Sequence, residues 1–313
     1  MIERPTTLVL GAGASQPYQF PLGAKLRRDI LNVGSNPHLL RSSELGNHWQ
    51  LAEFLEAFRQ SRLYSIDSFL TARPEMAEVG KLAIAAVLLE YETTYASYLT
   101  ADEQNWYDYL WNQLANGHSW EELSFDNLSI VTFNYDRSLE HFLLTAMMGT
   151  YKQTLGDAAK KLKQLKIVHV YGDIGAASPL EDGYEAYARP IVPARVARGA
   201  TRLKVIPEAR VDEPTLLEAQ RLLRKAKAIC FLGFGFDRTN LARLKAIETC
   251  RVDMPMANGA TELRAIAASC LGLTKAELEA AGNACGIRID PFNSRYFVDG
   301  DCMTTLRETL ILG

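Results

Sequence analysis

TTLVLGAGAS at residues 6–15 decides the reading of this chain. Thr6–Leu10 is a short β-branched and apolar run, the pattern of a strand buried on both faces of a parallel sheet. Gly11 ends it, Gly13 and Ser15 follow, and a helix is predicted beyond Pro21, from Ala24 to Leu31. Glycines in a strand–turn–helix unit let backbone N–H groups approach a pyrophosphate, and the positive end of the helix favours the anion. The same turn also serves as a tight β–α connection with no ligand. A hydride-transferring enzyme would continue with a third glycine at position 16, and with an acidic residue ending a second strand about twenty residues on. This chain has Gln16 and enters a polar, helix-rich stretch instead.

Outward from that turn, Leu51, Phe54, Leu55 and Phe58 recur at helical spacing, as do Ile84, Val87, Leu88, Tyr91 and Tyr95. Trp106, Tyr109 and Leu110 continue the pattern, so a helical insertion of about 35–125 follows the first strand. Strand LSIVTF (128–133), helix 137–148 and strand IVHVY (167–171) come next, then an irregular stretch over 172–212. Helix 214–226 leads into AICFLGFGF (228–236), read as a strand, and another helix starts near Thr239. Two short helices near 261–270 and 274–282, a last strand near Ile287–Ile289 and a helix over 302–311 complete the series. The alternation predicts an α/β protein: one Rossmann-like, doubly wound parallel sheet over residues 1–313, with the helical insertion after its first strand. The 172–212 connection has the length of a lid or binding loop.

With 313 residues, 48% of them hydrophobic, the chain can bury a large core. A net charge of −3 gives no basic footprint for nucleic acid, and the run Lys160, Lys161, Lys163, Lys166 reads as a solvated helix face. No stretch approaches the ~18 uninterrupted apolar residues of a membrane span, and MIERPTTLVLG is not a secretory signal. The five cysteines are not spaced for zinc. Together these features predict a soluble, cytoplasmic protein with no metal and no membrane contact. Trp49, Trp106, Tyr109 and Trp111 in the insertion suit either helix packing or a subunit interface.

Two further constellations end strands. Thr132-Phe133-Asn134-Tyr135-Asp136 closes the second, where ligands of open α/β sheets gather. Asn134 and Asp136, two apart, can face one crevice, although Asp136 equally suits a cap on the following helix. His169-Val170-Tyr171-Gly172 closes the third, with His169 and Tyr171 on one face by alternation.

Taken together, Gly11-Ala12-Gly13-Ala14-Ser15, Thr132–Asp136, His169 with Gly172, and Gly233-Phe234-Gly235-Phe236 with Asn240 resemble the motifs of the sirtuin-like family, in order along most of the chain. Phe20-Pro21 suits that family's cofactor loop. Departures point to a branch. No zinc module of two cysteine pairs follows the histidine, and Phe133 stands where deacylating members carry glutamine. The glycine adjoins Tyr171 rather than His169, so either residue can stand at the family's histidine position. The overall pattern resembles bacterial sirtuin-like proteins that hydrolyse NAD in antiphage defence.

That resemblance implies NAD as a substrate, cleaved at the nicotinamide–ribose bond to nicotinamide and ADP-ribose. It gives Gly11, Ala12, Gly13, Ser15, Phe20, Pro21, Gly233, Gly235 and Asn240 to dinucleotide binding. Asp136 would hold the carboxamide, Asn134 would orient the ribose hydroxyls and the attacking water, and His169 would act as general base. It also implies a homo-oligomer and a separately encoded partner, a DNA-translocating ATPase or an Argonaute-like protein. The alternatives are a protein deacylase or ADP-ribosyltransferase using the same chemistry, and a non-catalytic subunit that senses NAD or ADP-ribose.

Overall fold

The computed structural model describes residues 2–99, 105–205, 213–250, 253–255, 261–286 and 296–313. Its strands are β1 (Thr6–Leu10), β2 (Leu128–Thr132), β3 (Lys166–His169), β4 (Ala228–Leu232), β5 (Asp253–Pro255), β6 (Thr261–Leu263), β7 (Ala265–Ser269) and β8 (Phe297–Val298). Six of them form one sheet in the order β3-β2-β1-β4-β7-β8, and every pairing in it is parallel. With helices on its faces, the chain has the Rossmann-like α/β fold. The short β5 and β6 pair antiparallel apart from this sheet.

β1 lies at the centre because all five of its residues suit burial on both faces. Leu8 and Val9 have no exposed surface, and the two threonines are satisfied locally. Thr6 Oγ1 donates to the Arg4 carbonyl (2.9 Å), and Thr7 Oγ1 shares a hydrogen bond with Ser129 Oγ across the ladder (2.8 Å). β4 (AICFL) is buried throughout, whereas β3 at the sheet edge is half-exposed. The apolar runs read from the sequence thus occupy the interior strands, with β4 ending at Leu232 rather than continuing through 236.

The region near 261–270, expected to be helical, contains β6 and β7. Ala265, Ala267 and Ala268 favour helix intrinsically, but their small side chains fit a strand laid between β4 and β8, and tertiary context outweighs propensity. The expected strand at Ile287–Ile289 lies outside the described residues. Helices at Lys275–Ala284 and Cys302–Thr309 match the expected ones closely.

The insertion is helical as expected, with helices at Pro37–Ser42, Leu51–Ser61, Ile66–Ala72, Ala77–Thr94 and Trp106–Ala115. Helix 77–94 is apolar on nearly every side because neighbours surround it. One neighbour is a helix at Pro193–Arg202, inside the stretch read as irregular. Its inward face combines Val196 and Ala200 with a buried arginine, Arg195. A further helix, Leu155–Leu162, begins at the Thr154 cap and carries Lys160 and Lys161 of the run read as a helix face, while Lys163 caps its end and Lys166 starts β3; Lys161 lies over the Trp120 ring and donates to the Leu123 carbonyl.

Among the described residues, no helix is long and apolar enough to cross a membrane, and no group of three or more His, Cys, Asp or Glu is placed to hold a metal ion. All five cysteines are free and buried.

Candidate functional site

β1, β2 and β3 run outward from the sheet centre on one side, and β4 starts the other half beside β1. The crevice beyond the C-terminal ends of β1 and β4 is therefore the switch point at which such sheets bind ligands. Two backbone turns meet there. Gly13 N–H donates to the Gly233 carbonyl (3.0 Å), continuing the ladder bond from Gly11 N–H to Leu232 (3.0 Å). A methyl on Gly11 or Gly13 would lie 2.6–2.7 Å from Gly233 atoms, and one on Gly233 would lie 2.0 Å from Ala14 N. Gly233 also holds φ +57°, a left-handed conformation. The glycines thus serve first to let two turns interlock.

A cavity of about 350 Å³ opens over these turns, lined by Ala12, Gly13, Gly233, Phe234, Gly235 and Ser269, with Trp106 and Asp301 at its walls. Leu22 and Gly23 border it, and they begin the helix Gly23–Leu31. No side chain caps that helix N-terminus, and no acidic residue lies in its first turn. Its free N–H groups and dipole make that wall of the cavity attractive to an anion. Phe20 and Pro21, expected in a cofactor loop, are buried and do not line this cavity, and the Phe20 ring lies 6.5 Å from that of Tyr91.

Asn134 joins this turn to β2. Its Nδ2 donates to the Gly11 carbonyl (2.9 Å) and to Ser15 Oγ (3.0 Å), and its own N–H is taken by Thr132 Oγ1 (3.0 Å). Asp136 is buried and accepts from the Ser138 N–H (3.1 Å), the Ser138 hydroxyl and the Ser15 hydroxyl. Burial raises its carboxyl above the usual range, against those hydrogen bonds. Asp136 does cap the start of helix Ser138–Tyr151, and it belongs to the Asn134–Ser15 chain as well.

His169 sits differently. One ring nitrogen, Nδ1, lies 3.0 Å from the Asn134 carbonyl, and Nε2 lies 2.6 Å from Glu140 Oε1. Burial alone would lower its pKa, but Glu140, Asp173 and the Asn134 carbonyl outweigh that and hold it at about 9. At neutral pH His169 is therefore an imidazolium donating from both nitrogens. It lines a larger cavity of about 840 Å³ beside β3, together with Glu140, Asp173 and Arg202, and not the cavity over the glycine turns.

Tyr171 faces a third cavity of about 360 Å³, shared with Asp67, Phe133, Tyr135, Asp237 and Asn240. Its hydroxyl donates to Asn240 Oδ1 (2.6 Å), and burial pushes it up to about 12, with the Arg243 guanidinium over its ring opposing the shift. Asp67 accepts from the Tyr135 hydroxyl (2.8 Å), and burial raises its carboxyl above the usual range. One ring pair, Phe133 and Phe234 at 5.2 Å, separates this cavity from the one over the glycine turns.

The residues that sequence reading missed come from the insertion. Trp106 Nε1 donates to the Ala14 carbonyl (2.7 Å) and so pins the glycine turn. Tyr18, just past the turn, stacks on Tyr107 at 3.9 Å and accepts from its N–H (2.9 Å). Asp67 joins the strand ends only through tertiary contact. Adjacent aromatics heading a helix were the one local signal for Trp106 and Tyr107; Asp67 had none. Neither the models of known protein families nor the curated protein sequences compared with the chain match it.

Proposed function

We propose that the chain hydrolyses NAD at the nicotinamide–ribose bond, giving nicotinamide and ADP-ribose, in a bacterial antiphage setting with a separately encoded partner. One observation carries this reading: a cavity at the sheet's switch point, floored by interlocked glycine turns and walled by an uncapped helix N-terminus. Its lining includes no lysine or arginine among the described residues, so a diphosphate would be held by backbone N–H groups. The nucleoside half would lie against Phe234, Gly235 and Ser269.

NAD supplies a leaving group that departs as a neutral base, so no acid is needed on that side. The protein's task is to fix the ribose, exclude competing geometries and place water. In this reading Asn134 positions the turn and the ribose side through Gly11 and Ser15, and Asp136 completes that chain. His169, cationic and bonded twice, is given a positioning role, holding the Asn134 main chain against Glu140.

Purified protein incubated with NAD should release nicotinamide and ADP-ribose without any acylated peptide. Asn134→Ala should abolish that release while the protein stays folded. Full activity in that variant would refute the site. A second reading, a subunit that senses NAD or ADP-ribose without turnover, is favoured by the protonated state of His169; tight binding with no nicotinamide release, with candidate partners present, would select it.

A further inference from the structure

With His169 held as an imidazolium and Asp136 engaged by Ser15 and Ser138, neither is placed to receive a proton at neutral pH. The cavity on the far side of the Phe133–Phe234 pair holds a different candidate. There Tyr171, just past the end of β3, and Asn240, in the helix Arg238–Leu244 that follows β4, face Asp67 and Tyr135 across about 360 Å³ of space. Asp67 is delivered by helix 66–72 of the insertion, whose Ser65 cap accepts from the Ser68 N–H (3.1 Å).

We infer that the dinucleotide extends from the glycine turns past the Phe133–Phe234 pair, so that its nicotinamide ribose enters this cavity, and that Asp67 there is the base that takes the proton of the attacking water, with Tyr171 and Asn240 orienting that water. The inference rests on the NAD-hydrolase reading. As the ribose C1′–N bond breaks, its electron pair leaves with nicotinamide, which departs neutral. The water oxygen bonds to C1′, and its proton passes to the Asp67 carboxylate and then to solvent. Water and NAD thereby give ADP-ribose, nicotinamide and one proton, so the step balances without a further reactant.

Three features suit Asp67 to this. Its Tyr135 hydrogen bond fixes one carboxylate oxygen and aims the group. Burial, and to a lesser degree the nearby Asp237, raise its proton affinity above that of an ordinary carboxylate, the direction that suits a base. The other groups lining the cavity that can titrate are Tyr135, Tyr171 and Asp237. Tyr171, at about 12, is a donor at neutral pH, and Asp237 is committed to the N–H groups of Thr239 and Asn240 (2.9 and 3.1 Å).

The test compares wild type, Asp67→Asn and Asp67→Ala by nicotinamide release, by NAD affinity in calorimetry and by thermal melting. Asp67→Asn keeps an acceptor for Tyr135, so it should fold and bind NAD as the wild type does, while kcat falls about 100-fold or more. Azide, an anion needing no deprotonation, should restore turnover to Asp67→Ala and yield a ribosyl azide detectable by mass. Wild-type kcat in Asp67→Asn would overturn the inference. So would lost activity that azide does not restore, or lost activity explained by lost NAD affinity. A wild-type chain that releases no nicotinamide, alone or with partners, would instead overturn the parent reading and this inference with it.

Discussion

Replacing Glu92 by glutamine removes one charge from the most enclosed ionic group described in the protein. Glu92 has no exposed surface. It accepts from Arg137 Nε and Nη2 (both 2.9 Å), from the Ala188 N–H (3.1 Å) and from Arg195 Nη2. The two arginine side chains are only 3% and 4% exposed. Arg137 Nη1 also donates to the Ala176 and Glu185 carbonyls (2.5 and 2.7 Å), which ties the connection after β3 to helix 77–94. Glutamine keeps the shape but leaves two buried guanidiniums facing a neutral amide, with Glu185 as their remaining carboxylate (3.3 Å from Arg195). Breaking a buried pair in this way costs roughly 3–5 kcal/mol, against a total stability on the order of 5–15 kcal/mol. In urea, with a slope near ~3 kcal/mol/M for a chain of this size, the midpoint should fall by about 1–1.7 M. Tryptophan fluorescence and circular dichroism should report the same shift. The triple change Glu92→Leu, Arg137→Met, Arg195→Met should recover most of the loss, because apolar replacements leave no charge unpaired. A Glu92→Gln midpoint equal to wild type would refute the claim that this cluster holds the loop.

Gly233→Ala should abolish soluble folded protein or cost several kcal/mol, since a methyl there meets Ala14 N at 2.0 Å on a left-handed backbone. Gly235→Ala, with no atom within 4 Å of the new carbon, should fold normally and change only NAD affinity. His169 is raised to about 9 in the folded state, above its unfolded value near ~6.5, so its contribution is fully present below about 6.5 and is lost as pH rises through about 9. Urea midpoints at pH 6 and pH 10 should therefore differ by more in wild type than in His169→Gln; equal differences would refute the bond between a cationic His169 and Glu140. Trp106→Phe, losing the bond to Ala14, should cost about 1 kcal/mol and weaken NAD binding, read by denaturation and calorimetry.

The interior strands were legible because burial on both faces leaves a continuous apolar run, as in TTLVL and AICFL. β7 was not, because AIAAS draws its strand character from neighbours on both sides and not from its alanines. Helix 193–202 escaped notice because part of its buried face is Arg195, which is apolar in no scale and buried only because Glu92 neutralises it. The Gly11, Gly13 and Asn134 cluster was found as a motif and is indeed assembled. His169 and Tyr171 face different cavities because the chain turns after β3, at a point where strand alternation no longer applies. Asp67 and Trp106 reach the strand ends from the insertion, across contacts that no local spacing encodes.

The position of β1 also bears on how the chain is made. Of the strands in the six-stranded sheet, the earliest in sequence is a central one, pairing Thr6 with Leu128 on one side and with Ala228 on the other. At about 5–20 residues per second, its second partner emerges on the order of ten to forty seconds later. Both edges of that apolar segment stay open until β2 emerges, and one stays open until β4 does. The insertion, folding locally in the meantime, can offer it Trp106 and Tyr107 as a first shelter. Truncation before residue 228 should therefore leave a product prone to aggregation through one naked edge of β1.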